Sequence, residues 1–309
     1  MTLRPSEDTP FQHVAIIGLG LIGSSIARAM KDRQCGITLS GFDADPSVRQ
    51  RVRELDLLDH VHDTPPQAVS AADLVILCVP VGAIDAAATA ISASLRKEAV
   101  VSDVGSTKAS VAAALRAALP GYAIVPAHPV AGTEQSGPDA GFATLFDNRW
   151  CILTPDETVS EDVVSRVSAF WSRLGASVSI MDAEHHDLVL AMTSHIPHLI
   201  AFTIVGTASD LEQVTRSEVI KYSAGGFRDF TRIAASNPQM WRDIFLNNKD
   251  AVLDGLQRFT EDLVLLQRAI RWDQGDVLES LFTRTAEIRR GIVTQSQDSA
   301  EPDFGRRVK

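Results

Sequence analysis

Short β-branched runs alternate with alanine-rich helical stretches from Val14 to about Pro155. The run VAIIGLG is followed by LIGSSIARAMKD, ITLSGFD by PSVRQRVREL, DLVILCVP by AIDAAATAISASL, and AVVSDVG by KASVAAALRAAL. Strands that alternate with helices of this length form right-handed βαβ units, and the strands of such units lie parallel in one sheet. The pattern therefore predicts an α/β domain with a doubly wound parallel sheet.

Two further runs, AIVPAHP and CILTP, and the unit from Ser160 to Asp182 are predicted to finish the same sheet. Strand signals almost disappear after Ala183. A long apolar helix is predicted from Glu184 to Asp210, with a kink at Pro197 because proline lacks the backbone donor. The second half of the chain is therefore predicted to be all helical.

Local signals define the rest of the helical half. Either Asn237 or Ser236 is the predicted N-cap of a helix that begins at Pro238. Downstream, one face of a predicted helix is apolar at three- and four-residue steps: Val252, Leu256, Phe259, Leu263, Leu266 and Ile270. Such a stripe is covered either within one chain or by a second copy, and we favour a homodimer formed through the helical domain.

These signals give four predicted segments. Residues 1–10 form a disordered N-terminus, 11–182 a dinucleotide-binding domain, 183–295 a helical substrate and dimerisation domain, and 296–309 a flexible tail. A chain of 309 residues is long enough for two domains of this size.

Composition narrows the class of protein. The formal net charge of −10 argues against nucleic acid or an anionic membrane as a partner. The three cysteines are widely spaced and predict neither a disulfide framework nor a zinc site. The first ten residues lack the apolar stretch of a signal peptide, and no run of about 18 apolar residues is evident, so we expect a cytoplasmic protein.

A glycine-rich motif marks the candidate cofactor site. The sequence GLGLIG, residues 18–23, matches G-x-G-x-x-G between a strand and a helix. Such glycines permit a tight turn, close approach of the backbone to a pyrophosphate, and close packing of helix on strand. The sequence therefore predicts a Rossmann-type dinucleotide site with these contacts: Gly18, Gly20, Leu21, Ile22 and Gly23.

Asp43 ends the second predicted strand, twenty residues after Gly23, where an acidic side chain meets a ribose 2′-hydroxyl. A carboxylate repels a 2′-phosphate, so NAD is favoured over NADP, although Arg49 nearby leaves NADP open. Val79, Pro80 and Asp103 lie at the ends of the next two strands and are further predicted cofactor contacts. Ser106 is either an N-cap of the following helix or a contact near the nicotinamide.

His128 is the candidate acid–base residue. It lies in HPVAGTEQSG after a buried run, and its strand is predicted to end on the cofactor edge of the sheet. Hydride removal from an alcohol carbon needs a group that accepts the hydroxyl proton, and histidine suits this near neutral pH. Pro129 restricts His128 to an extended backbone, and the small residues up to Thr133 leave room for a substrate.

The other histidines are weaker candidates. His185 and His186 begin the long helix, where capping or surface roles are expected. His195 and His198 in SHIPH have a spacing that suits a metal pair, but no nearby ligands complete a set, so no metal site is predicted. A core pair and a substrate contact at the kink stay open, with His198 the better placed for substrate.

Two arginines in GGFRDFTR are candidate carboxylate receptors. Guanidinium groups bind carboxylates bidentately, so Arg228 and Arg232 either hold a substrate carboxylate or form an ion-pair network with Asp229. A surface role is the alternative for both.

Taken together, GLGLIGSSIA, DVGSTKA, HPVAGTEQSG, SHIPH and GGFRDFTRIAASNPQMW resemble the prephenate/arogenate dehydrogenase family of tyrosine biosynthesis, from Val14 to about Val293. The resemblance implies NAD(P)-dependent oxidative decarboxylation of a small anionic cyclohexadienyl substrate. It implies that His128 accepts the substrate proton, that Ser106 lies near the hydroxyl, and that Thr133 lines the pocket. It also implies that Arg232 binds a carboxylate with help from His198, and that Trp241 closes part of the pocket.

Two points go beyond the resemblance. Glu134 is hypothesised to pair with Arg232 and aim it, together with Asp229. Any inhibition by tyrosine is expected at the active site itself, because no sensing module is evident after the helical domain.

Two alternatives stay open at this point: a β-hydroxyacid dehydrogenase of the 6-phosphogluconate type, and a non-catalytic dinucleotide sensor. The sequence does not decide between prephenate and arogenate.

Overall fold

The structure is a computed structural model that describes residues 10–215 and 224–295. The predicted N-terminal segment, apart from Pro10, and the predicted tail from 296 to 309 lie outside the described residues. The chain divides into two compact units, Met1–Val252 and Leu253–Lys309. This division differs from the predicted domain boundary near residue 182, which separates the α/β part from the helical part. That boundary stays a prediction.

A six-stranded parallel sheet forms the centre of the first unit. Its strands are β1 His13–Ile17, β2 Thr38–Phe42, β3 His60–Val61, β4 Leu74–Leu77, β5 Val100–Asp103 and β6 Ala123–Val125. Their order is β3-β2-β1-β4-β5-β6, and every neighbouring pair is parallel. This order has its switch point between β1 and β4, where doubly wound sheets bind dinucleotides. The predicted Rossmann-type fold is confirmed.

Helices lie between these strands. They are α1 Leu21–Asp32, α2 Pro46–Glu54, α3 Pro65–Val69, α4 Ile84–Ile91 and α5 Ala109–Ala118. β1 and β4 are buried almost throughout, because a parallel sheet is covered on both faces. One apolar cluster contains Ile16, Ile26 and Trp171, and the other contains Ile17, Leu77 and Leu115.

A separate three-stranded sheet follows, which the sequence pattern did not predict. It contains β7 Ala127–Pro129, β8 Trp150–Leu153 and β9 Ser177–Ile180, with α6 Glu161–Arg173 before β9. β7 and β8 are antiparallel, whereas β8 and β9 are parallel. The prediction that these strands finish the first sheet is therefore wrong. Pro126 lies between β6 and β7, and proline cannot donate a ladder hydrogen bond there.

The helical part begins with α7 Ala183–Leu190 and α8 Ile196–Thr215, joined by a π-helical turn at Ala191–His195. The predicted interruption thus lies directly before Pro197. Next come α9 Gly225–Thr231 and α10 Pro238–Asn247. The Asn237 side chain accepts a hydrogen bond from the Met240 N–H, which confirms it as the N-cap.

The last two helices are α11 Lys249–Arg271 and α12 Gly275–Gln295. Large apolar side chains are exposed in the described part of the second unit: Leu253, Leu263, Val264, Leu265, Ile270, Trp272, Val277, Phe282 and Ile288. Where exposed apolar side chains form a contiguous patch, they mark an interaction surface.

One helical stretch in the described part of the chain, Ala183–Leu211, is long and apolar enough to cross a bilayer by length and composition. The expectation that no such run exists is therefore wrong. A long apolar helix within a folded protein meets the same two criteria, and His186 and His195 in this stretch are fully buried among protein groups.

Candidate active site

The glycine turn between β1 and α1 has the geometry of a pyrophosphate site. Gly18 has φ of +97°, and a Cβ there would lie 2.4 Å from the Cys78 carbonyl oxygen. A Cβ at Gly23 would lie 2.1 Å from the Gly18 carbonyl oxygen. By contrast, a Cβ at Gly20 would meet nothing within 4 Å, so space lies open beside the backbone. The turn therefore fits a dinucleotide.

The neighbouring predicted contacts lie around this turn. Leu21 and Ile22 begin α1, whose first turn holds no acidic side chain, so its N–H groups suit a phosphate. Val79 Cγ1 lies 3.1 Å from the position that a Cβ of Gly18 would occupy. Pro80 is exposed directly after it.

Asp43 lies where the ribose is expected. Its carboxylate accepts hydrogen bonds from the Leu19 N–H at 2.7 Å and the Asp45 N–H at 2.9 Å. Arg49 is engaged by the protein, since it donates to the Asp43 carbonyl oxygen at 2.8 Å and contacts Asp63. The guanidinium is therefore occupied, and the carboxylate is fixed beside the glycine turn.

Asp103, unlike the other predicted cofactor contacts, lies in the interior of the protein. Its side chain is fully buried and accepts hydrogen bonds from Gly105 N–H, Ala127 N–H and Lys108 Nζ. Lys108 is equally buried, and its Nζ also donates to the Ala127 carbonyl oxygen at 2.7 Å. Burial raises the pKa of Asp103 and lowers that of Lys108, while their mutual attraction opposes both shifts. Asp103 can thus affect a cofactor through the loop that it positions.

His128 lies in β7 of the second sheet, opposite Ile152 of β8, and its side chain is 7% exposed. The prediction that it ends a strand of the main sheet is therefore wrong. It still lies close to that sheet, because the adjacent Ala127 bonds to both Asp103 and Lys108. Burial lowers the pKa of His128 well below 6.5, and nearby His186 and Lys108 act in the same direction.

Two buried side chains, His186 and Asp187, continue a series of hydrogen bonds from His128. Its Nδ1 lies 2.8 Å from His186 Nε2, and His186 Nδ1 lies 2.8 Å from Asp187 Oδ1. His186 is 0% exposed, so the expectation of a capping or surface role is wrong for it, whereas His185 is exposed. On α7 the buried residues are His186, Asp187 and Leu190, so His186 belongs to the covered face of the helix.

Asp187 is anchored from two other elements. Its carboxylate accepts hydrogen bonds from the Lys108 N–H at 2.7 Å and the Ala109 N–H at 3.0 Å, at the start of α5. Its carbonyl oxygen accepts one from Asn248 Nδ2 at 2.7 Å. Asp187, rather than Ser106, therefore caps α5. Ser106 is half-buried in the loop before that helix, and the described residues give its hydroxyl no hydrogen bond.

The two histidines of SHIPH have different surroundings. His195 is fully buried, and Asn248 Nδ2 donates to its Nδ1 at 3.1 Å. Burial lowers the pKa of His195 to about 4. His198 is half-buried; its Nδ1 donates to the Ser194 carbonyl oxygen at 2.9 Å, and its ring stacks on buried Trp241 at 3.6 Å. No group of three potential metal ligands occurs among the residues that the structure describes.

Glu134 and Arg232 form an ion pair between the loop after β7 and the turn after α9. The first half of the aiming hypothesis thus agrees with the structure, while no ion pair between Asp229 and Arg232 occurs in the described part of the chain. Thr133 is exposed beside Glu134. Arg228 is exposed on α9, without a described contact to Arg232 or Glu134.

Sequence reasoning missed Lys108, His186, Asp187 and Asn248 in this site. A signal for two of them was present, since EHHD places consecutive polar side chains at the start of an apolar helix. Lys108 had none, because its charge alone did not distinguish a buried ammonium from a solvated one.

Comparisons with known proteins agree with this geometry. Residues 26–180 match the family profile described as "Prephenate dehydrogenase, nucleotide-binding domain", and residues 182–284 match "Prephenate dehydrogenase, dimerization domain". Cyclohexadienyl dehydrogenase of Zymomonas mobilis is 46% identical over 93% of this chain and 98% of its own length.

Solved structures give the same result. Prephenate dehydrogenase from A. aeolicus, in complex with hydroxyphenyl propionate and NAD+, has a TM-score of 0.83 and 32% identity over 90% of this chain and 97% of its own. Synechocystis arogenate dehydrogenase has a TM-score of 0.77 and 26% identity over 91% of this chain and 99% of its own. The chain therefore belongs to the prephenate dehydrogenase family, and it is an NAD(P)-dependent oxidoreductase of the oxidative decarboxylation step in tyrosine biosynthesis.

Proposed function

We propose that this enzyme oxidises and decarboxylates prephenate to 4-hydroxyphenylpyruvate, arogenate to tyrosine, or both. His128 accepts the proton of the ring hydroxyl, and Ser106 orients that hydroxyl. A bound NAD(P)+ would supply the acceptor for the hydride that leaves the ring carbon. Loss of the ring carboxylate as carbon dioxide makes the ring aromatic, so the protein mainly has to position the ring and remove one proton.

One observation carries this proposal: His128 has one ring nitrogen bonded to a buried partner and the other without a described partner. Nδ1 contacts His186, which leaves Nε2 to accept a proton. The low pKa keeps that nitrogen unprotonated at neutral pH. A fixed imidazole with an unprotonated nitrogen can accept the proton of a substrate hydroxyl.

The carboxylate contacts of the substrate are assigned to Arg232 and His198, with Arg228 as a further candidate. Arg232 is held by Glu134 on the loop that follows His128. The His198 ring is stacked on Trp241, which fixes the imidazole at the start of α8. Thr133 extends the wall from the His128 side. These groups supply the positive charge and the donors that two carboxylates need.

A direct assay tests the substrate assignment. Prephenate and arogenate are each supplied with NAD+ and with NADP+, and reduced nicotinamide is followed by its absorbance. Turnover of either substrate supports the proposal, and the ratio of kcat/KM values gives the preference. Absence of turnover in all four combinations contradicts it.

The cofactor preference is expected to be NAD, because of Asp43. In Asp43→Asn, the KM for NAD+ is expected to rise about tenfold, since a charge-assisted hydrogen bond of roughly 1.5–3 kcal/mol is replaced by a neutral one of roughly 0.5–1.5 kcal/mol. The ratio of NADP+ to NAD+ activity is expected to rise as well. Initial rates with each cofactor measure both. Glu54→Gln on the exposed part of α2 is the control, and an unchanged KM for NAD+ in Asp43→Asn contradicts the assignment.

The Glu134 hypothesis gives a second expected result. In Glu134→Gln, the substrate KM is expected to rise about 1.5- to fivefold, because a partly exposed ion pair contributes roughly 0.2–1 kcal/mol. The kcat is expected to change little, since Glu134 acts on Arg232 rather than on the reacting atoms. Asp229→Asn is the matched control, because Asp229 has no described ion pair with Arg232. An unchanged KM in Glu134→Gln contradicts the hypothesis.

The proposed assembly is a homodimer formed through the helical part, in the cytoplasm. The match to a dimerization-domain profile over residues 182–284 and the exposed apolar side chains of the second unit support it. The acidic net charge supports the absence of nucleic acid and membrane partners. Family membership leaves no support for the sensor alternative or for the 6-phosphogluconate type.

A further inference from the structure

We propose that His186, backed by Asp187, is a positioning residue that locks the imidazole of His128 in the tautomer with the proton on Nδ1. This inference rests on the proposed role of His128 as the base, and it concerns how that base is prepared. It assigns a role to two buried polar residues that the reaction itself does not use.

The tautomer follows from the order of donors and acceptors. Both carboxylate oxygens of Asp187 accept a backbone N–H bond, from Lys108 and from Ala109, so this carboxylate acts as an acceptor. His186 Nδ1, 2.8 Å from Oδ1, therefore carries a proton. A neutral His186 then has a bare Nε2, which accepts from His128 Nδ1 at 2.8 Å. The second nitrogen of His128, Nε2, is left unprotonated for the substrate.

His186 stays neutral in its surroundings. Burial lowers its pKa, and the neighbouring Lys108 acts in the same direction, whereas Asp187 opposes it. The charged and titratable groups that face His128 and His186 are Lys108, Asp103, Asp187, His195 and Cys151. The Lys108 ammonium pairs with Asp103, and the Asp187 carboxylate is bonded to two backbone N–H groups at the start of α5 instead.

The lock is rigid because its last member is held by three elements. Asp187 lies on α7, is bonded to the start of α5 through its carboxylate, and is bonded to Asn248 after α10 through its carbonyl. A base oriented by a second histidine and a carboxylate resembles in logic the histidine that a buried aspartate orients in hydrolases, where loss of the correct tautomer lowers kcat strongly.

Nitrogen-15 NMR of histidine-labelled enzyme tests the tautomer directly. The His128 signals are identified by their loss in His128→Asn. The expected wild-type spectrum shows a protonated Nδ1 and an unprotonated Nε2 for His128. A protonated Nε2 in the neutral wild type overturns the inference, whatever the variants do.

Kinetics of two substitutions test the consequence. His186→Leu removes the acceptor, so kcat is expected to fall about 100-fold, within the range for acid–base groups, with KM changed less than about threefold. His186→Gln restores an acceptor oxygen, so its kcat is expected to return to within about tenfold of wild type. The His128 spectrum of His186→Leu is expected to lose the single tautomer.

His185→Leu is the matched control, because His185 is the adjacent, exposed histidine on the same helix. Its kcat, KM and His128 signals are expected to equal those of wild type.

A kcat within about threefold of wild type in His186→Leu overturns the inference while the proposed function stands. Equal losses in the Leu and Gln variants, with the His128 tautomer retained, also overturn it. If the Leu variant does not fold, the Gln variant and the wild-type spectrum decide. A wild type without activity on either substrate contradicts the proposed function, and the spectrum still reads the tautomer.

Discussion

Replacement of His128 by Asn is expected to lower kcat roughly 10²- to 10⁴-fold, because the amide cannot accept the ring hydroxyl proton. The substrate KM is expected to change little, since the carboxylate contacts are on other elements. Initial rates at saturating NAD+ measure both constants. His60→Asn, an exposed histidine of β3, is the control and is expected to keep full activity.

The role of His128 as the base also predicts how kcat of the wild type depends on pH. A base whose pKa is lowered remains unprotonated as the pH falls, until the pH reaches the folded-state value. Because the pKa of His128 lies well below 6.5, kcat is expected to stay level as the pH falls from neutral to 6.5. Near-normal turnover of the Asn variant, or a wild-type loss of kcat centred at or above 6.5 with proton transfer limiting, contradicts the assignment of the base.

Lys108→Met is expected to lower the free energy of unfolding by about 3–5 kcal/mol, because it leaves the fully buried carboxylate of Asp103 without its counter-charge. The Ala127 carbonyl oxygen loses a donor as well. Urea unfolding at neutral pH, followed by circular dichroism, measures the change. A loss of this size requires a buried pair, because removal of one charge from a solvent-exposed ion pair changes the free energy of unfolding little.

Two further variants separate burial from charge. Lys31→Met removes an exposed ammonium from its pair with Asp56, and a change of about 1 kcal/mol or less is expected. Asp103→Asn combined with Lys108→Met removes the uncompensated charge and is expected to recover part of the stability. A loss below about 1 kcal/mol in Lys108→Met itself contradicts the structural role of the pair.

Those parts of the molecule that depend on local sequence could be predicted. The glycine turn was predictable because Gly18 and Gly23 stand where only hydrogen fits, and Asp43 because it follows a strand at a fixed distance from that turn. The kink before Pro197 and the N-cap at Asn237 follow from one or two residues each. The alternation of strands and helices was sufficient for the six-stranded sheet.

The parts of the molecule that depend on contacts between residues far apart in the sequence could not be predicted. β7 and β8 have strand-like sequences, but nothing local states that they pair with each other rather than with the first sheet. His186 lies 58 residues from His128, and two consecutive histidines at a helix start resemble surface residues until α5 and α7 are brought together. Lys108 and Asp103 are five apart, yet their burial depends on the fold around them.

Because of the π-helical turn at Ala191–His195, the number of residues between His186 and His195 determines how the two side chains are oriented. In a regular α-helix, residues nine apart such as His186 and His195 are separated by about two and a half turns and point to opposite sides. The wider turn brings them closer to one side, where Asn248 contacts both His195 and the residue after His186. Exchange of the exposed Met192 is expected to leave this arrangement in place, whereas deletion of one residue is expected to rotate one histidine away from the other.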